Sequence, residues 1–540
     1  MKKKLNRAFA IALTLGLLLT GCSGQAASAP ASSQTVSSQA VTAQASSGAP
    51  ADGGNIVVAE SDDPQNINPL YVVDQTSFDI QQALYSPFFE IVKGKLFYGN
   101  GLLESVTANS DSSVFTLKLK SNLKWHDGQP ITADDIVFTM NTLIDKNQNV
   151  PYQSYGYIDG KAVTTKKVDN LTVTITLPKS SAGFLGGLSQ IYCIPKHIYQ
   201  NVSNIGKSSL NNNPIGSGPY KFKSYTPGQS FVVQRFDDYF DGKPHLETVT
   251  FKIVKNASTA DASLASGDIN ARLISSTEYD TVNQSGKVNI YSYDSGRVNA
   301  LSFNQNKSAL QDVRVRQAIA YALNKEELTQ FAFVSNQFAS PAYSVFTPDT
   351  SFYDANLTKY DNDASKAKQL LQQAGKASLK LNILYISTDK TMESEATYIK
   401  QKLAQVGIDL ELYPLDESTY KTKIKDMSST DFDLLLHYYT LGEEPSLYAD
   451  IMSGNSRSNY SHVKDSELDA LWLKGNSTSD TAARGKIYDE IQKRINDNMY
   501  LYPIAYSKAF YAFDKNYGGY DQAILKTIYY DYSKLYLIKK

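Results

Sequence analysis

The chain has 540 residues, a formal net charge of −1, 42% hydrophobic and 20% charged residues. Such a balance belongs to a globular protein too long for one core, so two or three domains are expected. Near-neutral charge removes the electrostatic case for nucleic acid or an anionic membrane surface, and two cysteines leave stability to the apolar core.

The first seven residues carry Lys2, Lys3, Lys4 and Arg7, and Ala8 to Leu19 is apolar. A helix of about a dozen residues covers roughly 18 Å, short of the ~30 Å hydrocarbon core. Residues 1–21 therefore read as a secretory signal peptide. Leu19-Thr20-Gly21-Cys22 resembles the bacterial lipobox, in which the cysteine is diacylated and becomes the first mature residue. Two acyl chains give stable anchoring where one does not. Ser23 to Ala51 has no charged residue and consists largely of Ala, Ser, Gln, Thr, Gly and Pro. It cannot bury enough apolar surface to fold. Residues 22–54 thus read as a lipid-anchored tether with a reach on the order of 30 Å.

Beyond it, alternation predicts strands in "VFTLKLK" (114–120), "LTVTITL" (171–177) and "SFVVQRF" (230–236). Val315, Ile319, Ala322 and Leu323 share one helix face, with Asp312 as N-cap. "LKLNILYI" reads as a strand, "SEATYIKQKLAQVG" as a helix closed by Gly407, and "IDLEL" as a second strand. With "DFDLLLHYY" as a further buried strand, this region is α/β. Ligands in open α/β sheets sit beyond the carboxyl ends of the strands, which directs attention to "TLGEEPSLY" after Tyr439.

Motifs of catalysis are few. His126, His197, His245, His437 and His462 lack metal-ligand spacing, and "GSG" at 216–218 is not a nucleophile elbow. "GKS" at 206–208 lacks the leading glycine of a phosphate loop. The paired acids 62–63, 134–135, 237–238 and 443–444 suit solvated surface as well as chemistry. A lone Cys193 among apolar neighbours reads as packing. Thirty-seven tyrosines supply core and rim, and suit a surface that grips varied ligands.

Six stretches, in order, resemble the bacterial extracellular solute-binding proteins of family 5, the oligopeptide- and dipeptide-binding components of ABC importers. They are "ESDDPQNINPLY" (60–71), "LKLKSNLKWHDGQPITADDIVFTM" (117–140), "PIGSGPYKFKSY" (214–225), "ALSFNQNKSALQDVRVRQAIAYALNKEEL" (300–328), "DNDASKAKQLLQQAG" (361–375) and "NYSHVKDSELDALW" (459–472). The resemblance implies an α/β, two-lobed periplasmic-binding-protein-like fold (type II, cluster C). One lobe would comprise 55–298 and 507–540, with an extra subdomain near 98–212; the other would run from 299 to 506. Trp125, Gly128, Gly216, Gly218 and Pro219 read as turn-shaping scaffold, and Phe303 and Asn304 as lying near the interlobe passage.

It also implies capture without catalysis and without a cofactor or metal. A peptide in the interlobe cleft would stabilise closure, and the closed monomer would dock on ABC permease subunits outside the cell membrane. Peptide binders of the family carry a Trp-x-x-Asp stretch whose Asp pairs with the ligand's amine; Tyr438 and Leu441 stand there in this chain. Either another acid meets a buried ammonium, with Glu443, Glu444 and Asp74 as candidates, or the ligand is not a short free-amine peptide. The candidate ligand contacts are Asn68, Tyr71, Asp74, Tyr438, Tyr439, Thr440, Leu441, Gly442, Glu443, Glu444 and Tyr506, with Cys22 for lipid attachment. An oligosaccharide or chelated-metal binder, and a peptide-sensing lipoprotein without transport, are the alternatives.

Overall fold

The computed structural model describes residues 48–539, apart from 93, 361, 455, 521–522 and 524–530. The expected anchor at Cys22 and most of the expected tether lie outside the described residues. Among those residues the largest sheet has eleven strands. Its first half runs 220–226, 230–235, 248–253, 55–60 and 271–274; its second half runs 434–440, 379–386 and 408–415. Between the halves lie two long antiparallel strands, Leu501–Asp514 and Val288–Phe303, and Ala339–Pro341 pairs onto the former.

Parallel pairing sets each half. Asn55–Glu60 is parallel to Thr248–Ile253, and Leu379–Ile386 to Ile408–Leu415 through the helix Lys390–Ala404. The expected strand–helix–strand unit is therefore present. Its helix starts earlier than the apolar stripe suggests, because the Asp389 carboxylate caps the amides of Thr391 and Met392. Asp312 caps Val313–Ala322 in the same way.

The two long strands are irregular where they pass from one half to the other. Register shifts fall between Asp294 and Arg297 and between Asn299 and Ala300. Bulges of this kind bend a strand pair and re-aim its side chains. Phe303 and Asn304 lie beyond them: Phe303 pairs with Leu434, and the buried Asn304 donates to the carbonyls of Ser429 and Phe432. They brace the second half.

A separate four-stranded sheet, ordered 103–108, 114–119, 172–176 and 164–167, packs with helix Ala133–Ile144. Its core joins Phe115, Trp125, Met140 and Cys193, and reaches back to Leu70 and Tyr71. Burial pushes the Cys193 thiol well above its usual pKa, so it serves as packing. The Trp-His-Asp-Gly segment is the expected turn, with Gly128 N–H donating to the Trp125 carbonyl at 2.9 Å. His126 clamps it, accepting from Gly216 N–H at 3.0 Å and donating through Nε2 to the Gly218 carbonyl at 3.1 Å. A methyl at Gly216 would sit 1.9 Å from the Leu84 carbonyl oxygen, so only glycine fits.

Candidate ligand-binding cleft

A cavity of about 980 Å³, counted out to its open mouth, lies at the bulged passage. The floor is Asp294, Ser295 and Gly296 of the long strand Val288–Phe303. One wall is the Thr440–Glu444 loop with Leu447 and Asp450; the other includes Ile91, Tyr155 and Gly186. The loop follows strand Leu434–Thr440 at its carboxyl end, where an open α/β sheet places ligands.

The loop is pinned from several sides. Thr350 and Tyr448 hydroxyls donate to the Gly442 carbonyl at 3.3 and 3.2 Å. The Glu443 carboxylate accepts from Gly94 N–H at 2.7 Å, joining segments far apart in sequence. Glu444 holds the Arg484 guanidinium at 2.5 Å, their side chains 12% and 10% exposed, and also caps Ser446 N–H. Opposite it, the Ser181–Leu188 turn docks on Asn476. The Asn476 amide oxygen accepts from Ser181 Oγ at 2.9 Å and Gly183 N–H at 3.2 Å, while its backbone carbonyl accepts from Ala182 N–H at 2.6 Å. Gly186 completes the fit: a Cβ there would lie 2.3 Å from Glu444 Cγ.

Five expected contacts, Thr440, Leu441, Gly442, Glu443 and Glu444, line the cavity. Six others do not. Asn68 is buried, with its amide nitrogen on Asn211 and its oxygen on Leu70 N–H. Tyr71 donates to the Gln148 carbonyl, and Asp74 caps helix Gln75–Leu84 through Ser77. Tyr439 is buried and donates to Val345, and Tyr506 donates to the Ser344 carbonyl. Each has its polar group committed within the scaffold. Tyr438 is exposed, but the Arg297 guanidinium lies 3.5 Å above its ring. As amine partners, Asp74 and Glu444 are thus already engaged.

The model of "Bacterial extracellular solute-binding proteins, family 5 Middle" matches residues 98–460. The chain belongs to family 5 of the bacterial extracellular solute-binding proteins. Within that family it is 28% identical to the oligopeptide-binding protein AppA of Bacillus subtilis over 96% of each chain. The crystal structure of the ABC transporter substrate binding protein CtaP from Listeria monocytogenes superposes with a TM-score of 0.87 at 40% identity, covering 90% of this chain and all of that one. AppA from B. subtilis in complex with a nonapeptide gives 0.75 at 27% identity, covering 91% of this chain and all of its own. The family 5 fold is two-lobed and periplasmic-binding-protein-like, and no helix among the described residues is long and apolar enough to cross a membrane.

Sequence reasoning missed three parts of this family 5 cleft. Asp294–Gly296 carried a signal, because a glycine inside a strand pattern marks a bulge or a close approach. Tyr155 and Asp450 carried none. Tyr155 stacks on Tyr152 with ring centroids 6.0 Å apart, and burial followed by the Asp450 charge pushes its hydroxyl up to about 12. Asp450 opens onto the cavity, and the protein around it still removes enough water to raise its carboxyl pKa.

Proposed function

We propose that the protein captures oligopeptides in this cleft and delivers them to ABC permease subunits, as a monomer held outside the cell membrane by a lipidated Cys22. The observation that carries the reading is the cavity at the bulged passage, walled by segments far apart in sequence and matched in fold by a relative bound to a nonapeptide. A peptide seated there touches floor and both walls at once, so it binds the closed arrangement more tightly than an open one. Differential affinity of that kind drives hinge closure. The lobes of this reading are 55–298 with 507–540, and 299–506. Their boundary falls at the bulges where Val298 pairs with Tyr506. The role is capture without turnover.

Native mass spectrometry of protein purified without refolding tests this. Bound masses that fragment into amino-acid ladders are the expected result. Masses spaced by hexoses, or a metal chelate, would overturn the peptide reading and leave capture by closure standing.

A further inference from the structure

A second cavity of about 600 Å³ abuts the first. It is bounded by Tyr157, Phe184 and Asn476 and shares Tyr155, Leu447 and Asp450 with the larger one. A ligand running past these three side chains passes from one space into the other. The Asp450 side chain is exposed and enters no hydrogen bond or ion pair among the described residues, and its backbone carbonyl accepts from the Ser456 hydroxyl. An unpaired carboxylate beside the Tyr155 ring offers a negative charge and an aromatic wall together. That combination suits a cation on an aliphatic stem.

The charge of the lining points the same way. Asp294, Glu444 and Asp450 lie on the large cavity's wall, and among the described residues no Lys, Arg or His lines either cavity. Arg484 neutralises Glu444. Arg297 follows Gly296 in the chain, yet its guanidinium rests over Tyr438. Walls of low dielectric focus such a one-signed field on whatever enters. No group of three ligating side chains is placed to hold a metal ion among the described residues, which favours an organic cation.

We propose that the joined cavities select peptides of net positive charge, with Asp450 as the counter-ion for a lysine or arginine side chain at their junction. This rests on the peptide reading above. The test is calorimetric binding of three otherwise identical short peptides whose central residue is lysine, norleucine or glutamate, at low and high salt. The lysine peptide should bind about ten-fold tighter than the norleucine peptide. Glutamate should bind weakest, and the spread should narrow with salt. Asp450→Asn should erase the lysine preference, weakening the lysine peptide about ten-fold more than the norleucine peptide. Equal affinity for lysine and norleucine, or a preference that survives Asp450→Asn, would overturn the charge inference alone. Binding of none of the three would overturn the peptide reading and this inference with it.

Discussion

Glu444 and Arg484 show how much a residue's role depends on what folds around it. In sequence Glu444 is one of two adjacent acids before a proline and serves equally as surface or as ligand contact. In the structure it pairs with the buried Arg484, whose guanidinium also donates to the Gly475 carbonyl. Removing one partner leaves the other charge buried and unpaired, at a cost of about 3–5 kcal/mol. Glu444→Ala should therefore lower the urea midpoint strongly, and a ligand screen on it would report lost folding first. Glu395 carries a different prediction. Burial raises its carboxyl from an ordinary 4.5 to about 8, so the folded chain holds that proton more tightly than the unfolded chain. The resulting stabilisation is complete below about 4.5 and is lost as pH rises through about 8. Glu395→Gln should match the wild type in mild acid and exceed it in alkali when urea midpoints are compared across pH; parallel curves would refute the assignment. Asn68 and Asp450 mark the limit of sequence reading at this scale. Both are short polar residues in loop-like text, and only the fold buries one and opens the other to the cleft.

Local chemistry made most elements legible. Leu379–Ile386 matches the alternation that predicts it, and the Asp312 cap stands where the helix begins. The Trp-His-Asp-Gly turn is also as read, but its clamp was not legible, because His126 meets Gly216 from 90 residues away. Burial lowers the His126 pKa to about 4, below the ordinary 6.5. Its contribution is thus present above 6.5 and is lost as pH falls through about 4. His126→Gln should flatten the acid limb of the stability profile, measured as the thermal midpoint against pH. The Ser181–Leu188 turn invites a test of closure. A Cβ at Gly183 would lie 2.2 Å from Ser446 Oγ and 2.6 Å from the Asn476 amide oxygen. Gly183→Ala should hold the cleft more open, giving a larger radius of gyration in small-angle scattering and weaker binding at unchanged secondary structure. An unaltered scattering curve would show that this contact does not govern closure.

For the molecule as a whole, the order of motifs along the chain gave the family and the two-lobed plan. It could not give the continuity of one eleven-stranded sheet, because long-range pairing between 288–303 and 501–514 leaves no local signature. The proposed anchor belongs to this scale too. Cys22→Ser should release the protein from the membrane fraction and abolish labelling by a palmitate analogue, while peptide binding by the released protein is unchanged. Membrane retention in that variant would refute the lipid anchor.

The two ends of the described chain meet in a small sheet, where Pro50 pairs with Ile538 and Ala51 with Leu537. A pull transmitted from upstream of Gly48 would load this short pairing first. Next in line is Asn55–Glu60, which is flanked on both sides by parallel neighbours in the great sheet. Tension should therefore peel the terminal pairing at low force while the cleft keeps its shape. In an optical trap, the rupture of this outer clip should precede unfolding, and bound solute should shift only the later, larger event.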